Sequence, residues 1–237
     1  MNRLAPGPLV PPASVPDWLR PLVSASTELS STVLTRVPSP PAGVGRPAAV
    51  LILFGEDGLG PGTGPDVLLL RRSDGLPSHP GQVAFPGGAI DEGDDGPVGT
   101  ALREATEEVG LDPTGVRPVA LWPELFIPPS SFKVTPVLAH WPRPSAVAPV
   151  DPAETAAVAR VPVAELADPA KRFSVRHPSG WVGPAFMLPG MIVWGFTAGL
   201  LAALLALGGW ARPWDESDVR ELDEAWRQVE RSGPEVD

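Results

Sequence analysis

The chain has 237 residues, 43% of them hydrophobic, which is enough to bury the core of one domain and to carry an extension. Its formal net charge of −10 sets its surface against nucleic-acid phosphates, so an anionic substrate needs locally placed arginines or a metal. The absence of cysteine excludes disulfides, thiolate metal sites and a cysteine nucleophile.

Thirty-three prolines and 25 glycines punctuate the chain. Residues 1–45 are proline-rich, with one short helix expected around VPDWLRPLVSAS, residues 15–26. The early prolines break any continuous apolar run, so no secretory signal is expected there. PAAVLILF (47–54) and DVLLLRR (66–72) read as buried strands, joined by a glycine-rich turn. QVAFPGG (82–88) predicts a short strand ending in a tight glycine turn, and a helix follows over 97–109. VRPVALWPE (116–124) and FKVTPVLAHW (132–141) read as further strands, PRPSAVAPVDPAE (142–154) as a loop, and VPVAEL (161–166) as the start of a short helix or turn. His140 and His177 sit in strand-like contexts and read as structural. Ser130 and Ser131 have no His/Asp framework near them in sequence, so no serine nucleophile is expected.

MIVWGFTAGLLAALLALGGW, residues 191–210, has the length of a minimal membrane span and a tryptophan toward each end. Gly195, Thr197 and Gly199 interrupt it, and its N-terminal side lacks a basic flank. A buried helix that completes the core or a homodimer contact is the expectation, with a span as the alternative. DESDVRELDEAWRQVERS (215–232) predicts a charged surface helix capped by Asp215, with Val219, Leu222, Ala225, Trp226 and Val229 as its apolar stripe. The organisation expected is a proline-rich segment (1–45), one catalytic domain (46–210) and a charged C-terminal helix or tail (211–237).

LREATEEVG, residues 102–110, crowds Glu104, Glu107 and Glu108 onto the helix expected over 97–109. Asp94 or Asp95 can cap this helix, Pro97 suits its first turn and Gly110 its exit. At roughly 100° per residue, Val98, Ala101, Leu102, Ala105 and Val109 share one face, which packs on the sheet. Glu104 and Glu108 then stand one above the other on another flank, with Glu107 beside them. Like charges at this spacing weaken a helix, and the macrodipole disfavours anions toward its C-terminus. A solvated acidic face is the ordinary fate of such a run. Here, however, it follows the paired glycines of FPGG and the acidic loop DEGDD, and three carboxylates beside a glycine loop make a hard oxygen site for Mg2+ or Mn2+. Arg103 can hold a carboxylate by a bidentate contact.

GGAIDEGDDGPVGTALREATEEVGL, residues 87–111, resembles the Nudix box. REATEEVGL matches that family's Arg-Glu-aliphatic-x-Glu-Glu-x-Gly-aliphatic pattern at every position. The spacing from Gly88 to Arg103 is one residue longer than usual, and the box's first glutamate falls on Asp94 or Asp95. The resemblance implies an α+β fold, an α/β/α sandwich around a mixed sheet. It also implies Mg2+ or Mn2+ on Glu104 and Glu108, Glu107 as a third acid, Arg103 as the orienting arginine, and a carbonyl at Gly88 or Ala89 completing the coordination.

LLLRRSDGLPSHPGQVAFPGG, residues 68–88, is similar to the extra signature of the coenzyme A pyrophosphatase subgroup. Leu68, Leu69, Arg72, Ser73, Gly81 and Phe85 to Gly88 match it. Leu70 replaces a threonine and Pro77 replaces an arginine. FIPPSSFKVTPVLA (126–139) and VWGFTAGLLAALL (193–205) look like the same subgroup. This resemblance implies metal-dependent hydrolysis of a diphosphate linkage in coenzyme A or its thioesters, in the cytoplasm. Arg71, Arg72, Ser73, His79, Gly87 and Gly88 would meet the substrate. Glu107 or Glu154 would take a proton from the attacking water. Another nucleoside diphosphate derivative, such as NADH, ADP-ribose or a dinucleoside polyphosphate, is the alternative substrate. A Nudix-fold binding module without turnover is the alternative of a different class.

Overall fold

The computed structural model describes residues 5–231 apart from positions 36, 39, 42, 59 and 61. In chain order its elements are β1 (Gly7–Pro8), α1 (Arg20–Ala25), α2 (Ser31–Leu34), β2 (Arg46–Glu56), β3 (Pro65–Arg72), β4 (Val83–Ala84), β5 (Gly87–Ala89) and α3 (Gly96–Val109). There follow β6 (Arg117–Leu121), β7 (Leu125–Ile127), β8 (Phe132–His140), β9 (Thr155–Pro162) and α4 (Val163–Leu166). The C-terminal part adds β10 (Arg172–Arg176), β11 (Val182–Leu188), β12 (Met191–Val193), α5 (Gly195–Leu207), β13 (Val219–Glu221) and α6 (Leu222–Arg231).

The large sheet runs β1-β6-β8-β2-β3-β4, with β5 also pairing β2, β7 pairing β8 and β9 pairing β3. It is mixed: β2 and β8 are parallel over Arg46↔Phe132 to Phe54↔His140, and β3, β5 and β6 pair antiparallel. The unbroken apolar runs of β2 and β3 follow from burial on both faces. Ala49, Leu51, Leu53, Leu68 and Leu70 pack under Ala101, Ala105 and Val109 of α3. The intervening Ile52, Phe54, Val67 and Leu69 face the other way, onto Leu22 and Val23 of α1 and Leu200, Leu201, Leu204 and Leu205 of α5. The result is an α+β architecture, a mixed sheet with helices on both faces. The first strand expected lies within β2, the second within β3, and the helix expected over 97–109 is α3.

Four expectations differ from the fold. FPGG does not end in a tight turn: Gly87 and Gly88 form β5 and pair with Val50 and Ala49. Residues 191–210 are not one helix. Leu188 and Met191 pair directly across Pro189–Gly190, a turn dipeptide that folds 191–193 back as a strand and leaves a 13-residue α5. Among the described residues no helix is long and apolar enough to cross a membrane, and Leu200, Leu201, Leu204 and Leu205 are at most 2% exposed within the core.

The charged tail helix also starts later than expected. Asp215 accepts from the Ser217 amide and hydroxyl in a local turn, and β13 then pairs parallel with β10 at Ser174↔Val219. Val219 therefore sits in a strand, exposed, rather than in the stripe, while Leu222, Ala225, Trp226 and Val229 pack as expected. Ser232 lies outside the described residues. β13 joins β12, β11 and β10 in a second, four-stranded sheet. His140 ends β8, whereas His177 lies in the turn after β10, where its amide donates to the Trp181 carbonyl at 2.8 Å.

Candidate active site

Helix α3 is fixed to the sheet by its buried alanines and Val109, and closed by Gly110 in the left-handed region, whose amide reaches the Ala105 and Thr106 carbonyls. That orientation turns Glu104 and Glu108 toward β5. The Gly87 amide donates to Glu108 Oε2 at 2.9 Å. At Gly88, a Cβ would come within 2.5 Å of Glu104 Oε1, so a larger residue there would displace this carboxylate from its position.

Arg103 is the hub of the surrounding charges. Its Nε lies 2.9 Å from Asp94 Oδ1 and its Nη2 lies 3.1 Å from Asp94 Oδ2. Nη2 also lies 3.0 Å from Glu104 Oε1 and donates to the Ala89 carbonyl at 3.1 Å. Nη1 meets Glu107 Oε2 at 2.9 Å. Arg103 thus joins Asp94, Glu104, Glu107 and the Ala89 carbonyl in one network. The Ala89 carbonyl is taken by it, and Gly88 pairs with Ala49 in the β5–β2 ladder. Glu107 stands apart from Glu104 and Glu108: its side chain is 58% exposed and held by Arg103. Among the described residues no three His, Cys, Asp or Glu side chains are grouped to hold a metal ion, so the donors brought together on this flank are Glu104, Glu108 and the nearby Gly88 backbone.

Asp94 is not the helix cap. Asp95 occupies that position without a side-chain cap bond, while Asp94 accepts from the Thr100 hydroxyl and the Asp91 amide as well as from Arg103. The Arg103 guanidinium therefore holds Asp94 well below the usual carboxylate range. The paired glutamates behave in the opposite way. Burial pushes Glu104 up, against the pull of Arg103. Burial raises Glu108 to about 7, with Glu104 and Glu154 adding to the rise, and with the Gly87 amide and Arg72 opposing it.

Alternation along β3 separates the two arginines expected at the substrate. Arg72 follows Leu68 and Leu70 on the α3 side and acts on Glu108. Among the described residues its buried Nε meets no acceptor, and its Nη2 lies at 3.5 Å from the Ser78 carbonyl. Arg71 follows Val67 and Leu69 to the other side and pairs with Asp74 at 2.6 Å. The Ser73 amide donates to the Glu154 carbonyl at 2.8 Å, which brings the exposed loop acid Glu154 beside the site although 81 positions separate the two residues. His79 is exposed, with a positive φ of 54°. Asp94 as the partner of Arg103 was the site residue least accessible to sequence reasoning. Its only signal was an acidic residue ahead of the helix, which is equally the signal of a cap.

A mixed sheet with helices on both faces, carrying paired glutamates against a glycine strand, is a hydrolase scaffold of the Nudix kind. The chain belongs to the Nudix family: the NUDIX domain matches residues 45–180, more than half of its length. It is 36% identical over 153 residues to the uncharacterized Nudix hydrolase NudL of Enterobacter sp. (strain 638), covering 59% of this chain and 73% of that one. It is 37% identical over 162 residues to the uncharacterized Nudix hydrolase NudL of Klebsiella pneumoniae (strain 342), covering 63% and 78%. Among solved structures it is similar to the Nudix hydrolase RenU from M. smegmatis, with a TM-score of 0.47 and 20% identity over 72% of this chain and 90% of that one.

Proposed function

We propose that this Nudix hydrolase cleaves the diphosphate linkage of coenzyme A or acyl-coenzyme A, giving 3′,5′-ADP and (acyl-)4′-phosphopantetheine, as a cytoplasmic enzyme acting on a small molecule. The observation that carries the reading is the convergence of the Glu104–Glu108 flank, the Gly87–Gly88 strand and the unpaired Nε of Arg72 on one side of the sheet. Two carboxylates and a backbone carbonyl are hard oxygen donors suited to Mg2+ or Mn2+. Burial raises both carboxylates and nearby acids add to the rise, a cost that a cation at this position would relieve. Glu104 and Glu108, with the Gly88 carbonyl, would hold that ion, which when bound neutralises diphosphate charge and makes water more acidic.

The remaining roles fall to the chain's own groups. Arg72 binds the diphosphate, since its guanidinium is otherwise short of acceptors and arginine suits phosphate oxygens. Arg103, held by Asp94, keeps Glu104 in place. Glu154 takes the proton from the attacking water: it is exposed at the rim, and its charge reaches Glu108. Glu107 is the weaker candidate for that step because Arg103 neutralises it. The subgroup signature over 68–88 supports coenzyme A as the substrate. The test is a panel of coenzyme A, acetyl-coenzyme A, NADH, ADP-ribose and diadenosine tetraphosphate with Mg2+, products resolved by chromatography. Fastest cleavage of a coenzyme A species is expected. Faster cleavage of NADH or ADP-ribose would overturn the substrate, and no cleavage of any would favour a binding module.

A further inference from the structure

Helix α6 lies outside the matched domain, yet it touches the loop that follows the substrate arginines. Gly81 is buried at the end of loop 73–82. A Cβ on it would lie 2.8 Å from Trp226 Cζ2, 2.6 Å from Asp74 Oδ1 and 3.4 Å from Arg71 Nη2. Gly81 is thus wedged between the α6 tryptophan and the Arg71–Asp74 ion pair. The rest of the loop has little to hold it: Asp74, Gly75, Pro77, Ser78, His79 and Pro80 are exposed, and His79 sits at positive φ. The helix behind Trp226 is firm, because Leu222 and Ala225 are buried against Phe173, Val175 and Ile192 of the second sheet.

We propose that Trp226 is a positioning residue that clamps loop 73–82 through Gly81 and thereby sets the substrate affinity of Arg72. The connection is short. The Gly81 amide faces the Ser73 carbonyl at 3.4 Å, and the Arg72 amide donates to the Gln82 carbonyl at 2.9 Å. Moving Gly81 therefore moves Ser73 and Gln82, the two residues that hold the Arg72 backbone, within the loop whose Ser78 carbonyl faces the guanidinium. Glu104, Glu108 and Gly87 lie on α3 and β5, whose mutual hydrogen bond does not pass through this loop. The clamp should act first on binding through Arg72, and the Ser73 amide, which donates to the Glu154 carbonyl, is its route to the acid proposed as base.

The test uses the full chain and two measurements, of which only the kinetic one rests on the proposed function. In Trp226→Ala the Gly81 and Gln82 amides should exchange with solvent about tenfold faster, by local opening, and Trp226→Phe should restore most of the protection. With Mg2+ and coenzyme A, Trp226→Ala should raise KM about fivefold or more with kcat within about twofold. Val229→Ala, on the same helix and in the same cluster but not against Gly81, controls for lost stability: it should change neither loop exchange nor KM. If Trp226→Ala and Val229→Ala give the same loop exchange, or if kcat alone falls, the clamp is overturned. If the wild type leaves coenzyme A intact, the substrate reading fails and loop exchange alone decides the clamp.

Discussion

Glu108 Oε2 accepts the Gly87 amide hydrogen at 2.9 Å. This contact and the one from Arg103 to the Ala89 carbonyl fasten the acidic helix to the glycine strand. It also explains why Glu108 is half-buried and still retains a strong donor: burial raises its pKa, and the amide limits the rise. The neighbouring Gly88 lets the Glu104 carboxylate lie against bare backbone. Both acids are therefore placed by glycines of β5 as much as by the helix that carries them.

Replacing either acid by its amide isolates the charge. In Glu108→Gln the amide oxygen still accepts from Gly87, and in both variants the shape is kept. Turnover in excess Mg2+ should fall about 10²-fold or more for each of Glu104→Gln and Glu108→Gln. Because the folded state pushes Glu108 up to about 7, its ionised form costs stability above that pH, so the Tm of Glu108→Gln at pH 8 should not fall below that of the wild type. Near-normal turnover in both variants would remove the pair from the site.

Asp94 anchors Arg103 through two of its nitrogens. Asp94→Ala should cost about 1–2 kcal/mol in urea unfolding, a moderate figure because the guanidinium still meets solvent, which screens it. Turnover should drop as well, because Glu104 loses its steady partner. The stabilisation from Asp94, whose pKa is lowered, is present at neutral pH and lost as pH falls through and below the carboxylate range, so the variant should show a shallower acid loss than the wild type. An unchanged urea midpoint would show that Arg103 is held without it.

Pro77 stands exposed in loop 73–82, where the subgroup signature has an arginine, and proline supplies no donor for a phosphate. Pro77→Arg should raise kcat/KM about tenfold for coenzyme A, the scale of one charge-assisted phosphate contact. Dephospho-coenzyme A, which lacks the 3′-phosphate, should change little. Equal gains on both substrates would show that position 77 does not read that phosphate.

His140, at the end of β8, meets Trp18 edge to face at 5.9 Å, and burial lowers its pKa. Arg117 lowers it further and Glu56 opposes. The unfolded chain then takes up this proton more readily than the folded one, so stability present above the ordinary histidine value of about 6.5 is lost as pH falls below it. His140→Gln should flatten the dependence of Tm on pH in that window. An unaltered slope would assign the loss to other groups.

Helix α3 was legible in the sequence because its determinants are local. The 3.6-residue spacing of Val98, Ala101, Leu102, Ala105 and Val109, Pro97 in the first turn and Gly110 at the exit all act within a few residues. The same periodicity set Glu104 and Glu108 on one flank. The apolar runs of β2 and β3 likewise announced buried strands. Strands β9, β10 and β11 were not legible: arginines break the apolar patterns of β9 and β10, Gly183 and Pro184 break that of β11, and β9 finds its partner β3 far away in the chain.

What only the tertiary structure decided follows from contacts between distant residues. Residues 191–193 left the apolar run of α5 because β11 offered a partner across Pro189–Gly190, and 219–221 left the tail helix because β10 did. Asp94 became the grip on Arg103 rather than a cap, Glu154 reached the site through Ser73, and Trp226 came to rest on Gly81. Sequence alone determined which chemistry this chain carries, since hydrophobic period and motif spacing are properties of neighbouring residues. Folding decided which groups orient that chemistry, since pairing and packing join residues whose separation no local pattern encodes.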